Sequence, residues 1–441
     1  MNPWNIISQL LGLQDIYFED VKLYKKRHEA VFKVRHLKNK SFCSTCGLEL
    51  RKTHDWQLRE LQGPPVGIFS KVSIKFKYPR AFCELCRKNR PAYVSWCHPK
   101  FKSMTCGFAE TAGRLMEETT CEAAGRLLKC TSRKLWNLDQ HRMQLMLERM
   151  RLPKDIDISY LSADEVHFQT KRFKRKNIFS KKRDIKFITN LVSYNDSKIL
   201  FNAPGRDSKS LSDCLAVLSP GQKLAVESFA VDMHDPFIST LKKQLPNAEI
   251  SVDRFHLTQQ VNNCFDALRK SELKRAQKNQ DNFIEGMLAP SRRFILVEKE
   301  KSLTKSEKKM LDKLRRLNEN IHNGMLLVET FHRVLDKPNI KSFRKALGTW
   351  YWLVRESGLR HFRKFSKTIR KYRRNIEAYI KSGLTTAVSE GLNNKIKVLK
   401  RMGYGYHNER SFQNKIMQRC GYLNHYAINT DDLLYSVPNP K

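Results

Sequence analysis

The spacing of apolar positions changes several times along the chain, and each change marks an expected boundary. From Ile16 to Leu37 the run IYFEDVKLYKKRHEAVFKVRHL alternates apolar and polar residues, as short half-buried strands do. Residues 66–82 repeat that alternation, and from Met104 to about Met150 the period becomes helical. Beyond Tyr160 strands and helices alternate. Strands are expected at Tyr160–Phe168, Ile185–Tyr194, Lys198–Ala203, Leu224–Asp232 and Glu249–Asp253, with helices at Ser208–Leu218 and Asp235–Leu245. From about Thr258 to Arg374 the pattern is helical, and a last helical block follows Ser382. No internal repeat interrupts this order.

A chain of 441 residues has room for two to four domains, and 40% hydrophobic content can bury real cores. The expected fold is multidomain α+β. A β-rich module spans 1–100, a helix-turn-helix region 101–155 and the first part of an α/β core 156–256. An all-helical insertion at 257–380 interrupts that core, which 381–441 completes. Charge narrows the partners: 83 Lys and Arg against 44 Asp and Glu leave +39, which suits a polyanion. No stretch approaches the roughly 18 apolar residues of a spanning helix, and acids appear early at the start, so neither membrane insertion nor secretion is expected.

Among the eleven cysteines, two close pairs stand out. Cys43-Ser-Thr-Cys46 and Cys83-Glu-Leu-Cys86 are CxxC knuckles, each able to place two thiolates on one tetrahedral ion, so a structural zinc site is expected at Cys43, Cys46, Cys83 and Cys86. Downstream, Glu117 to Trp136 reads as two short helices. Thr119 or Thr120 can cap the first, which carries Ala123, Ala124, Leu127 and Leu128 inward. Thr131 or Ser132 can cap the second, with Leu135 and Leu138 inward and Arg133 and Lys134 facing out toward DNA.

The chemistry is expected in the α/β segment. Asp164 lies in the first strand, followed by a basic arm at 171–186 that can touch phosphates. Asp232 ends the fourth strand. Three strands, a helix, a strand, a helix and a strand is the order of a ribonuclease-H-like fold, in which the first and fourth strands are neighbours. Asp164 and Asp232 would then lie side by side and repel unless a divalent cation sits between them. A third carboxylate is expected from the block after Ser382. There Leu392, Ile396 and Leu399 make the buried stripe, and Glu390 sits in an early turn. Both Asp164 and Glu165 could serve on the first strand, where alternation puts them on opposite faces.

These motifs resemble those of bacterial insertion-sequence transposases with a DDE core, the ISL-three family. The resemblance runs from about Tyr17 to Tyr426. It rests on the double CxxC, Ala163-Asp-Glu165, Val231-Asp-Met233, Asp253-Arg-Phe-His256, and Ser389-Glu-Gly-Leu-Asn-Asn-Lys-Ile-Lys397 leading into Arg401-Met-Gly-Tyr-Gly-Tyr406. It implies that Asp164, Asp232 and Glu390 form a catalytic triad holding two magnesium or manganese ions, with the helical insertion between the second and third acids. It also implies that Asp253 and His256 buttress the site or contact DNA. Lys397 and Lys400, placed one and two turns beyond Glu390, and Arg401 are expected on DNA.

The expected activity is metal-dependent cleavage and strand transfer at the inverted repeats of an element. The expected partner is double-stranded DNA, bound by a homodimer, in the bacterial cytoplasm close to the nucleoid. Two rivals share the sequence features: a DNA-binding regulator on an inactive transposase scaffold, and a related metal-dependent nuclease.

Overall fold

The computed structural model describes residues 3–37, 40–149, 152, 156–172, 183–290, 304–403 and 405–423. The basic arm expected at 171–186 falls mainly on 173–182, outside the described residues. The chain forms two compact units, one of Met1–Leu152 with Ile396–Lys441 and one of Pro153–Lys395. None of the described helices is long and apolar enough to cross a membrane.

The first unit begins with helix α1 (Pro3–Leu11) and strands β1 (Ile16–Tyr24), β2 (Glu29–His36), β3 (Ser41–Phe42) and β4 (Glu49–Leu50). Strands β5 (Thr53–Gly63), β6 (Lys71–Cys83) and β7 (Lys88–Pro91) follow. The main sheet runs β1-β2-β6-β5, with β7 on β6; β2 and β6 are parallel and the other pairs antiparallel. Ala30, Phe32 and Val34 on β2 and Val72, Ile74 and Phe76 on β6 point to one face and bury there with Leu11 and Leu13. Strand β5 escapes the sequence pattern because only Leu61 and Gly63 of THDWQLRELQG are buried. Its long register with β6 forms it instead. Residues 66–69, expected as strand, make a tight turn closed by Val66 and Phe69.

Three helices follow: α2 (Cys106–Glu118), α3 (Cys121–Leu128) and α4 (Ser132–Arg149). The Thr120 hydroxyl accepts from the Ala123 N–H, and Thr131 accepts from the Lys134 N–H, so the threonines rather than their neighbours cap α3 and α4. Ala124, Leu128, Leu135 and Leu138 are buried, but Leu127, expected inward, is exposed. Gly125 allows the sharp turn between α3 and α4, since a Cβ there would meet the Cys130 carbonyl oxygen at 2.7 Å.

The helix Glu409–Cys420 packs on α2 and α4 through a buried charge. Lys415 Nζ donates to Met116 O and Asp139 Oδ2, both at 2.8 Å, and to Gln418 Oε1 at 2.6 Å. Cutting one partner from such a pair strands the other charge in the interior. Lys415→Met should therefore destabilise this unit by about 3–5 kcal/mol. Denaturant unfolding of the variant checks this, and an unchanged midpoint would remove the pair from any stabilising role.

The second unit is built on strands β8 (Tyr160–Arg172), β9 (Arg183–Ser193), β10 (Lys198–Pro204), β11 (Ser228–Val231) and β12 (Glu249–Val252). Helices α5 (Ser208–Leu215), α6 (Pro220–Ala225) and α7 (Asp235–Gln244) connect them. The sheet order is β10-β9-β8-β11-β12. β8, β9 and β10 are antiparallel neighbours, and β11 lies parallel to both β8 and β12. The expected strand Leu224–Asp232 is shorter than its apolar run. Ser219 and Gln222 form a capping box with Pro220 in the first turn, so Leu224 and Ala225 finish α6 before β11 begins.

Helix α8 (Arg254–Lys278) leaves β12, and α9 (Asn282–Leu288) follows it. The helices Lys305–Leu317, Glu319–Leu335, Ile340–Glu356, Arg360–Lys371 and Arg373–Ser382 complete the described part of the insertion. Their core centres on Phe331, Trp350 and Phe365, whose rings lie 4.9–5.9 Å apart. Gly383, at φ +68°, ends Arg373–Ser382 in a left-handed cap. The last block is therefore not continuous from Ser382: a new helix, Ala387–Met402, starts five residues later.

Candidate active site and metal centre

The parallel register sets Ala230 opposite Ser162 and Val231 opposite Val252. Carried to the strand ends, it brings Asp164, Asp232 and Asp253 to one level on three adjacent strands. Carboxylate oxygens of Asp164, Glu165 and Asp232 lie within 4.8 Å of one another, as do ligand atoms of Asp253, His256 and Glu390. Glu390 occupies the first turn of Ala387–Met402, where the positive end of the helix favours its charge. Its charge acts on Asp164.

Crowding shows in the titration behaviour. Burial, then the Asp232 charge, pushes Asp164 up to about 6. Burial, then Asp164 and Asp232, pushes Glu165 up to about 7. His256 Nε2 sits 2.7 Å from Asp232 Oδ1, and that close contact with the carboxylate raises His256 to about 8. One imidazolium thus offsets part of the negative charge of several carboxylates.

Neighbouring side chains fix the acids in place. Asn393 Nδ2 donates to Asp164 Oδ2 at 2.7 Å, and the Glu165 N–H donates to Asp164 Oδ1 at 2.7 Å. Ser162 and Ser389 share a 2.6 Å hydrogen bond beside Glu390. Asp253 is committed differently. It caps α8 by accepting from the Phe255 N–H at 3.1 Å, and its second oxygen accepts from the Thr386 hydroxyl.

Sequence reasoning set Glu165 on the far face, yet its carboxylate reaches Asp164 and Asp232. The physical reason is local. Pairing between β8 and β11 stops at Ser162, so the β8 edge beyond it is open and a long side chain can wrap around it. Asn393 and Thr386 find partners far apart in sequence, Asp164 and Asp253, which leave no spacing signal. Arg206 was not singled out at all. Its guanidinium lies 4.8 Å from the Phe187 ring centroid and its charge acts on Glu165.

Hard oxygen donors packed until their protonation is raised are what a divalent cation relieves, so this donor set fits such an ion. The four cysteines fit a different one. Cys43 Sγ is 4.0 Å from Cys86 Sγ, Cys46 Sγ is 3.4 Å from Cys83 Sγ, and all four sulfurs lie within 4.8 Å. Sulfurs bound tetrahedrally at ~2.3 Å would stand about 3.8 Å apart. Each knuckle turns through a left-handed residue after its second cysteine, Gly47 at φ +77° and Arg87 at φ +50°. Burial raises Cys43, but the N–H groups of Cys46 and Thr45 more than offset it and hold the thiol near 7.

The remaining expected DNA contacts lie elsewhere. Arg133 and Lys134 are exposed in the first turn of α4, and Lys397 and Arg401 are exposed on Ala387–Met402. Helical rise puts Lys397 about two turns and Lys400 nearly three turns beyond Glu390, a turn further than the sequence reading placed them.

A family model described as transposase, that of the ISL-three (ISL3) group with a DDE core, matches residues 164–416, and the chain belongs to that family. The transposase of insertion sequence element IS1001 from Bordetella parapertussis is 24% identical over 375 residues, covering 85% of this chain and 87% of the relative. The transposase of element IS1557 from Mycobacterium tuberculosis is 20% identical over 245 residues, covering 52% and 55%. Among solved structures, a Drosophila P element transposase strand transfer complex aligns with 74% of this chain and 92% of its own at 11% identity. Its TM-score is 0.35.

Proposed function

We propose that the protein cleaves DNA at the terminal inverted repeats of an insertion sequence and joins the freed ends to target DNA. Asp164, Asp232 and Glu390 are the triad of this reading, on a core of ribonuclease-H-like type. The observation that supports it is convergence. Asp164 and Asp232, 68 positions apart, have carboxylate oxygens within 4.8 Å of each other, and Glu390, 158 positions beyond Asp232 and grouped with Asp253 and His256, acts electrostatically on Asp164.

Two magnesium or manganese ions held there would, when bound, favour an attacking oxygen at the scissile phosphate and offset charge on the departing one. The protein's own groups set the geometry. His256 holds Asp232, Asn393 holds Asp164, and the Ser162–Ser389 bond fixes the helix start that carries Glu390. Asp253, engaged by Phe255 and Thr386, positions rather than binds.

In this reading the double CxxC holds structural zinc, and α3 and α4 form the helix-turn-helix that presents Arg133 and Lys134 to double-stranded DNA. Lys397, Lys400 and Arg401 contact phosphates. The chain works as a DNA-assembled homodimer in the bacterial cytoplasm. The division into 1–100, 101–155, 156–256, 257–380 and 381–441 belongs to the same proposal.

Removing the amide that orients Asp164, by Asn393→Ala, should lower cleavage by roughly 10–100-fold while end binding persists. Gel-shift and nicking assays on one end duplex measure both; equal loss of binding would point to misfolding instead. Strand transfer is tested by incubating 3′-labelled element ends with a plasmid and divalent ion. Joined product supports a transposase, and nicking without joining would reduce the activity to a nuclease.

A further inference from the structure

The helix Arg360–Lys371, RHFRKFSKTIRK, holds six Lys and Arg and no acid. At 3.6 residues per turn, Phe362, Phe365, Ser366 and Ile369 share one side, and all four are buried. Arg360, Arg363, Lys364, Lys367 and Arg370 fall in an arc of about 120° on the other side, and all five are exposed. Lys371 lies in the same arc but pairs with Asp235.

Elsewhere in the insertion, several bases have acids beside them. Arg269 and Lys270 pair with Asp266, Arg333 with Glu329, and Arg344 with Glu377. Among the described residues none of the five ridge cations has an ion-pair partner. Arg363 instead reaches the Arg355 carbonyl at 3.4 Å, and Arg370 lies 4.7 Å from the Tyr351 ring centroid. The helix is also rigidly seated, with Phe365 packed edge-on against Phe331 and Trp350. Five aligned, uncompensated cations on a fixed rod repel one another, and an anionic partner relieves that cost.

We infer that this ridge docks the phosphate backbone of duplex DNA without regard to its sequence. The inference rests on the transposase reading above. From Arg360 to Arg370 the helix rises ~15 Å, a length along which duplex DNA carries roughly nine phosphate charges. Guanidinium and ammonium groups on phosphates position DNA but read no bases, which suits a site that must accept arbitrary target sequence.

The test uses the full chain with all five residues changed: Arg360→Gln, Arg363→Gln, Lys364→Gln, Lys367→Gln and Arg370→Gln. Affinity for a random-sequence duplex is measured across a salt series. The slope of log affinity against log salt should become shallower by about 4–5, since each of the five lost phosphate contacts contributes about 0.9. A control of equal charge, with Lys305, Lys308, Lys309, Lys313 and Arg316 changed to Gln, should lose less than about one unit. An unchanged slope in the ridge variant, or an equal change in the control, would overturn the ridge. Mg²⁺-dependent nicking of element ends by the wild-type chain is scored in the same preparation. Nicking with an unchanged ridge slope rejects this inference alone, whereas absent nicking with a reduced slope rejects the catalytic reading and leaves the ridge standing.

Discussion

Asp232→Asn should abolish metal-dependent cleavage and weaken divalent-ion binding, while Asp253→Asn should impair activity and leave ion binding in place. Both residues follow short buried strands, so the strand pattern does not separate them. Their surroundings do. Asp232 follows β11, directly beside the strand that carries Asp164, and its carboxylate lies within 4.8 Å of both Asp164 and Glu165. Its close partner, His256, is a side chain that an incoming cation can displace or replace. Asp253 has both oxygens occupied by protein donors and is 3% exposed. Asn at 253 keeps the acceptor for the Phe255 N–H but sets an amide against the Thr386 hydroxyl, so the loss is one of positioning. Loss of a centre that stabilises developing charge costs at least about a hundredfold in rate. Mn²⁺ titration calorimetry with nicking assays on both variants measures the difference. The reverse pattern would move the ligand from the β11 end to the β12 end.

The second large effect is at the cysteines. Cys43→Ser or Cys86→Ser should release one equivalent of zinc and abolish selective binding of element ends. The first knuckle has few other supports, since β3 and β4 are two residues each and join the rest through the Cys43–Ala92 bridge and the Ser44–Pro91 and Tyr93–Phe42 backbone bonds. Cysteine-bound zinc contributes about 10–16 kcal/mol in small domains, far more than such short strands supply. The second unit has its own core and should stay folded, retaining non-specific DNA affinity. Metal analysis and competition binding against random duplex check both halves. A zinc-free variant that still discriminates the terminal repeats would remove the cluster from recognition.

The strands of the second unit were legible because β8, β9 and β10 are apolar runs bounded by turns, and β12 is a short run ending in Asp253. Where strand and helix abut with no polar break, at Leu224–Val226, the boundary was misread. Strand β5 was invisible for the opposite reason: its residues are mostly exposed or half-buried, and pairing with β6 shapes it. The acids could be named from sequence because each stands next to a strong local pattern. What organises them could not. The Asn393–Asp164, Ser162–Ser389 and Thr386–Asp253 contacts join residues 133–229 positions apart, and Glu165 joins the cluster only because β11 is short.

The central claim is that Glu390 completes a metal-binding triad with Asp164 and Asp232, and Glu390→Gln tests it most directly. The substitution keeps size and hydrogen-bonding capacity and removes one charge. Nicking of a duplex carrying the element's terminal repeat is followed with Mg²⁺ and without it, for the wild-type chain and the variant. The account predicts Mg²⁺-dependent nicking by the wild type, a loss of about a hundredfold or more in Glu390→Gln, and unchanged end binding in both. Wild-type nicking rates in Glu390→Gln would contradict it.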